Sequence, residues 1–463
     1  MSSPNPKFRV AICGGGVGGL IAAHALARFP NIQVDVYEAA RELTEVGAGI
    51  GMWPRTWRIL QTLGLDHDLG EAAVIRPTNL PRVAFTFRKG DQPLGLSFNQ
   101  LITPGGLISF HRPDFQKVIV NHLPPTCRLH TSKRLVSYLY GPAASSVQPP
   151  PIYLHFRDGT TAVCDVLIGA DGIKSSVRTS MLRELAGKAQ AAGRPQEAQQ
   201  HLAGIDARWS GASMFRTTFS ADALRQQLPG HRVLREPVVY LGKDTQLTVY
   251  PIARGTRINF AATIASFGME NSAFEGPWVE DVPPFDLITH FSRWEPEVQS
   301  LMQCVSNLSR WSMHTVHPLQ TFVSGRVAVL GDAAHCMLPY QGAGACQAIE
   351  DACMLAEVLG HPNTTLTTLS HALTVYDAIR RPFAQRIAEK SRENGMLFMF
   401  NYPGLDNFSS HNEDVRRLSE VYYRIRKNWE WAWETTIDED VVRARALLEG
   451  SENGRGSEEE ESS

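Results

Sequence analysis

Apolar and polar positions follow two rhythms along this chain, and the rhythm changes several times. Phe8 to Cys13 is a short apolar run with β character. Leu20 to Phe29 is rich in alanine and leucine and predicts a helix. Gln33 to Tyr37 alternates with period two and predicts a strand ending at Glu38. Together these form one strand–helix–strand unit with glycines at its first turn. Leu60 to Leu65 closes another helix, Val83 to Phe87 is strand-like, and Arg112 to Leu123 returns to a helical rhythm. Ile152 to Phe156 and Thr161 to Asp165 flank Asp158-Gly159, a β-hairpin signal. Val166 to Ala170 reads as a fully buried strand.

Arg183 to Ala203 is rich in alanine, glutamine and charge, which predicts an exposed helix or insert. Met214–Phe219, Val238–Leu241, Leu247–Ile252 and Arg257–Ile264 are strand-like with turn residues between them, as in an antiparallel sheet. Arg326 to Leu330 is a buried strand ending in Gly331-Asp332. Gln347–Leu359 and Leu373–Glu393 predict helices, and Val415–Trp433 an aromatic amphipathic helix. Ser451 to Ser463 has the composition of a disordered acidic tail. The picture is a nucleotide-binding lobe made of separated stretches, interrupted by a mixed β lobe and closed by helices.

Composition narrows the class. A chain of 463 residues suits two lobes sharing one ligand. With 43% hydrophobic and 20% charged residues it is an ordinary globular enzyme by balance. The formal net charge of −2, with no basic block, argues against nucleic acid as a partner. No stretch offers about twenty uninterrupted apolar residues, so no membrane span is expected. The run from Val10 to Ala27 is full of glycine and carries His24, unlike a signal peptide. The seven cysteines are scattered with no CxxC pair, so neither a disulfide framework nor a metal site is expected. Reduced thiols and a cytoplasmic location follow as the default, with a monomer or homodimer as the assembly.

Three strings carry chemistry. In Gly14-x-Gly16-x-x-Gly19 the glycines allow a tight turn and close approach of a pyrophosphate to a helix N-terminus. Glu38, nineteen residues after Gly19, stands where a carboxylate accepts ribose hydroxyls. The second string, Val166 to Arg178, runs from a buried strand through Asp171-Gly172 into a helix start at Ser175-Ser176. Its plainer reading is a helix capped by Asp or Ser. In the third, Gly325 to Ala345, Asp332 ends a strand where its carboxylate can reach a ligand's hydroxyls. Pro339 offers a rigid wall, and Gly342 and Gly344 expose backbone N–H groups that would stabilise negative charge on a reduced ring.

These strings, in this order and spacing, resemble the class A FAD-dependent aromatic hydroxylases, the group of 4-hydroxybenzoate and salicylate hydroxylases. His111-Arg112-Pro113-Asp114-Phe115 resembles the family's arginine motif, and Gly47 to Pro54 the stretch running over the flavin. The narrower resemblance is to salicylate 1-monooxygenase-like enzymes. It implies an α/β fold of the 4-hydroxybenzoate hydroxylase type. Residues 1–80, 105–182 and 320–400 would form a discontinuous Rossmann-like FAD-binding domain. Residues 81–104 and 183–319 would form an inserted mixed β-sheet substrate domain, and 401–450 a C-terminal helical segment before the tail at 451–463. The resemblance implies FAD as cofactor, NAD(P)H as co-substrate, and O2 and a small aromatic molecule as substrates. A flavin C4a-hydroperoxide would deliver oxygen to a phenolic ring, with or without loss of a carboxylate. It assigns Glu38 to the adenosine ribose, Arg112 to the phosphate or ribityl chain, and Asp332 to the ribityl chain. Gly342, Gly344 and Ala345 would face the pyrimidine edge. Gly51, Asp171 and Pro339 complete the expected cofactor contacts.

Substrate contacts are expected from the mixed β lobe. Gln246, Thr248 and Tyr250 share one strand face by period two. Tyr250 could bond a phenolic oxygen, and Arg216 could pair with a carboxylate or phenolate. The plainer readings are a half-buried sheet tyrosine and a structural arginine. His335 reads as a packing residue near FAD, and Trp429, Trp431 and Trp433 as packing or a dimer surface. Arg55, after Pro54, is a candidate for the substrate side of FAD. A same-fold flavoenzyme acting on a polyketide, indole or quinone-type metabolite stays open, as does, more remotely, a binding protein on this scaffold.

Overall fold

The computed structural model describes residues 6–43, 49–142, 148–404 and 411–453. Along the chain run β1 (Phe8–Cys13), α1 (Val17–Leu26), β2 (Ile32–Tyr37), β3 (Gly49–Met52), α2 (Pro54–Thr62), α3 (Asp66–Ala72), β4 (Pro81–Lys89), β5 (Leu96–Pro104), β6 (Ile108–His111) and α4 (Arg112–Asn121). Then come β7 (Arg128–His130), β8 (Leu135–Tyr140), β9 (Ile152–Phe156), β10 (Thr161–Cys164), β11 (Val166–Gly169), α5 (Ser176–Ala191), α6 (Pro195–Ala203), β12 (Arg208–Ser220), α7 (Ala221–Gln227), β13 (Val238–Gly242), β14 (Thr245–Ile252) and β15 (Arg257–Ala265). The chain finishes through β16 (Val279–Val282), α8 (Phe285–His290), α9 (Pro296–Met302), β17 (Leu308–Thr315), β18 (Val323–Ser324), β19 (Val327–Val329), α10 (Asp332–His335), α11 (Gly344–Gly360), α12 (Leu369–Phe398), α13 (His411–Trp429), α14 (Trp431–Glu434) and α15 (Asp438–Asn453).

Two large sheets organise these elements. One has six strands in the order β18-β19-β11-β1-β2-β7, parallel except at the β18–β19 join. Its central strands β1 and β11 are apolar and buried except at Arg9, because α1 and other helices cover them. The other has eight strands in the order β16-β17-β12-β15-β14-β13-β4-β5, antiparallel except where β13 runs beside β4. Period two divides its faces. Leu247 and Val249 of β14 enter a separate core with Phe219, Phe260 and the short helices, while Gln246, Thr248 and Tyr250 face the first lobe. The architecture is the mixed α/β one expected, with helices closing the C-terminal end.

Three details differ from the sequence reading. Of the two readings of Arg183 to Ala203, exposed helix or insert, the helical one is found, but the stretch begins inside a helix that starts at Ser176. The stretch belongs to α5 and α6, and α5 packs on β11 and β19 through buried Val177, Met181 and Leu182. A boundary at 182/183 would therefore cut a helix. The Val415–Trp433 helix is two helices, breaking between Trp429 and Trp431. A further helix, α15, runs to Asn453, past the expected start of the tail at Ser451, and the rest of that tail lies outside the described residues. Among the described residues no helix is long and apolar enough to cross a membrane, and no group of His, Cys, Asp or Glu could hold a metal. None of the seven cysteines forms a disulfide.

Candidate active site

A cavity of roughly 690 Å³ lies between the two sheets, and the three sequence strings meet there. Gly14, Gly16, Glu38, Gly51, Arg112, Asp171, Asp332, Pro339, Gly342, Gly344 and Ala345 all line it, with Arg216 and Tyr250. Gly19 does not. A Cβ on Gly19 would lie 2.0 Å from the Gly14 carbonyl oxygen, so its role is close packing of helix on turn. Gly47 and Ala48 lie outside the described residues.

The glycine turn is shaped by β1 and α1. Gly14 sits at φ +112°, where a Cβ would come within 2.2 Å of the Ala170 carbonyl oxygen. Gly16 has no atom within 4 Å of where its Cβ would stand, so the cavity reaches the backbone there. The first N–H groups of α1 have no partner within the helix and form an anion site beside that space. Glu38, at the end of β2, accepts from the Gly15 N–H at 2.6 Å and the Ala40 N–H at 2.7 Å. Gln116, one turn into α4 from Arg112, donates to the Gly15 carbonyl at 3.1 Å. The arginine motif and the glycine turn are thus one unit. Burial pulls the Arg112 guanidinium below its ordinary pKa, Asp332 opposes this, and Arg216 adds like charge.

Asp171 lines the cavity, but its carboxylate is engaged in helix capping. It accepts from Ser175 Oγ, from the Ser176 N–H at 2.7 Å and from the Val177 N–H at 3.2 Å. Burial pushes its pKa up despite those bonds. What the second string offers the cavity is Gly172, at φ +73° with nothing within 4 Å of its Cβ position. On the far side, Asp332 opens α10, and the glycines of the third string lead into the N-terminus of α11. Open backbone at Gly16 and Gly172, acceptors at Glu38 and Asp332, and helix N-termini at α1 and α11 together fit a dinucleotide with an extended diphosphate.

The roof is the inner face of the eight-stranded sheet. Arg216 on β12 is in register with Ala261 on β15, Ala261 with Thr248 on β14, and Thr248 with Val239 on β13. All four line the cavity. Burial lowers the Arg216 pKa and only Tyr250 opposes it; among the described residues no carboxylate pairs with this guanidinium. It rests 5.3 Å from the Trp311 ring centre. Burial raises the Tyr250 pKa, with Arg216 opposing, so this phenol is neutral at ordinary pH. Gln246 is committed elsewhere, accepting from Thr248 at 2.8 Å and donating to Thr263 at 3.1 Å. Sequence reasoning missed Asn259 and Ala261, whose period-two spacing on β15 carried the signal. It also missed Phe85, Phe398 and Trp429, which form an aromatic wall with Trp53 of the expected flavin stretch.

Neither Arg55 nor His335 lines the cavity, and the burial of His335 agrees with its reading as a packing residue. Arg55 is not on the flavin side. It is buried in a network, donating to Glu350 at 3.0 and 3.1 Å and to Asp440 at 3.3 Å, which ties α2 to α11 and α15. His335 is buried and bonds Asp351 at 2.6 Å. Asp351 also accepts from Arg380 at 2.8 Å. Burial raises the Asp351 pKa, but His335 and Arg380 outweigh it and hold the carboxyl down at about 2.

A family model described as an FAD binding domain matches residues 7–209 and 278–391. A salicylate hydroxylase of Pseudomonas putida is 33% identical, over 97% of each chain. The chain belongs to the class A FAD-dependent aromatic hydroxylases. It is therefore an FAD-dependent monooxygenase acting on aromatic substrates, in a family that takes its reducing equivalents from NAD(P)H. Another relative of this hydroxylase is the FAD-dependent monooxygenase str9 of Strobilurus tenacellus, 37% identical over 96% of this chain and 98% of its own. Among solved structures, a salicylate hydroxylase substrate complex superposes with a TM-score of 0.79 at 28% identity, covering 96% of this chain and 98% of that one.

Proposed function

We propose that this hydroxylase acts on a phenolic aromatic acid, salicylate- or hydroxybenzoate-like, and expels the carboxylate where it occupies the attacked carbon. The observation that carries this is Arg216: a half-buried cation facing the cavity beside Tyr250, with no acid paired to it among the described residues. A guanidinium stays charged when buried, and burying it without a counter-charge is costly. An anionic substrate removes that cost. Arg216 would pair with the carboxylate or phenolate, and neutral Tyr250 would donate to a phenolic oxygen. Glu38 would hold the adenosine ribose, Arg112 and Asp332 the phosphate and ribityl chain, and the backbone from Gly342 to Ala345 the pyrimidine edge. FAD, once reduced, activates O2 and supplies the electrophilic oxygen. The aromatic wall excludes water from that chemistry.

That same wall supports a second reading. Val239, Phe85, Phe398 and Trp429 make the side of the cavity away from Arg216 apolar, which suits a larger polyketide, indole or quinone-type substrate. Substrate-stimulated NAD(P)H oxidation separates the two, with salicylate, 3-hydroxybenzoate and 4-hydroxybenzoate tested while peroxide is measured alongside. Stimulation with a hydroxylated product by mass spectrometry supports the first. No response to any of the three acids overturns it in favour of the second.

A further inference from the structure

Gln341, in the loop between Pro339 and α11, is fully buried and held at every polar atom of its side chain and by its carbonyl. The carbonyl accepts two indole N–H groups, from Trp53 at 2.8 Å and from Trp429 at 3.1 Å. The side-chain Oε1 accepts a third, from Trp431 at 3.0 Å, and Nε2 donates to the Asn428 carbonyl at 3.2 Å. Asn428 is itself fixed to Asn394 of α12 at 3.1 Å. The next peptide N–H, of Gly342, donates to the Pro339 carbonyl at 2.9 Å, with Gly342 in the left-handed region at φ +59°. Three of these partners, Asn428, Trp429 and Trp431, follow residue 391, where the match to the FAD-binding family model ends. Three indoles converging on one glutamine are more than packing requires, because an indole satisfies its N–H with any single acceptor.

We propose that Asn428–Trp431 is a positioning element of the active site. With Trp53, it clamps Gln341 and so fixes the backbone that leads into the first N–H groups of α11. The inference rests on the proposed placement of the flavin edge at Gly344 and Ala345. Donors held rigidly there favour the reduced, negatively charged ring, whereas donors free to turn away do so less. Gln341 and Trp431 act through the loop and are positioning residues.

The test is the midpoint potential of the bound flavin in Trp431→Phe, Gln341→Met and Ala345→Pro, with Trp433→Phe as the control, whose ring packs on Trp53 but whose N–H makes none of the bonds to Gln341. Trp431→Phe keeps the ring and removes one N–H. Ala345→Pro removes a helix-start N–H directly, at a position where proline is tolerated. At the wild-type midpoint, the reduced-to-oxidised ratio is expected to fall about fivefold in the first three, the worth of one neutral hydrogen bond. Trp433→Phe should not move it. The share of NAD(P)H oxidation lost as peroxide should rise in the same three variants. The potential needs no substrate, so an incorrect substrate class leaves this reading intact. If Ala345→Pro shifts the potential and Trp431→Phe and Gln341→Met do not, the clamp is refuted while the flavin placement stands. If none of the three shifts it, the placement fails and the clamp with it. Should Gln341→Met fail to fold, Trp431→Phe alone decides, because it deletes a single donor.

Discussion

Replacing Arg216 with methionine tests the substrate assignment on two sides at once. Methionine retains much of the side chain's length without its charge. A hydrogen-bonded pair to a charged group contributes about 1.5–3 kcal/mol, or roughly a 10- to 150-fold loss in affinity when one partner is removed. The loss should appear in the Kd of salicylate or a hydroxybenzoate, measured by perturbation of the flavin absorbance. It should be largely absent for the neutral amide of the same acid. Arg216→Lys should fall between, because an ammonium lacks the bidentate fork. The second side is stability. Among the described residues no carboxylate partners Arg216, so removing it leaves no acid unpaired there and relieves the desolvation of a half-buried charge. The melting temperature of Arg216→Met without substrate should equal or exceed that of wild type. Equal losses for the acid and its amide, or a large drop in melting temperature, would refute the reasoning.

Other predictions follow from the same geometry. Gly16→Val adds a side chain into open space, so the apoprotein should melt as wild type does yet fail to retain FAD. Gly14→Ala should instead destabilise the protein itself, by about 1–3 kcal/mol from the strained backbone alone and more from the contact with the Ala170 carbonyl. Arg55→Met removes one of two guanidinium partners from buried Glu350, which keeps Arg380, and one from half-buried Asp440, which keeps Arg443; it should cost about 1.5–3 kcal/mol in chemical denaturation, with little change in substrate affinity. Asp351 has a depressed pKa, so its ionised form adds stability that is complete above about pH 4. That contribution, about 2 kcal/mol by linkage, fades as pH falls toward 2. The stability gap between wild type and Asp351→Asn should narrow over that window.

Much of this was legible because local rules and fold agree where a cofactor must touch backbone. Glycines at 14, 16, 172, 342 and 344 and the strand ends before them are dictated by close approach, and a sequence displays that directly. The roof was half legible. Gln246, Thr248 and Tyr250 declare one face of β14 by period two, but which neighbouring strand brings Asn259 and Ala261 alongside depends on pairing across the sheet. Arg55 misled because its position after Pro54 lies close in sequence to the flavin stretch. Its side chain instead turns along α2 toward Glu350, almost three hundred residues away. Asp171 was read both as a cofactor contact and as a cap, and its carboxylate makes the capping bonds. The role of the tryptophans was hidden for the same reason as Arg55's: nothing local ties Trp429 and Trp431 to Gln341.

The most direct test of the account is the origin of the oxygen atom in the product. FAD-loaded enzyme is supplied with NAD(P)H, a responsive phenolic acid and oxygen-18 gas in ordinary water. The account predicts one heavy oxygen per product molecule on a new ring hydroxyl. A product whose added oxygen comes from water, or substrate turnover with no oxygen added, would contradict it.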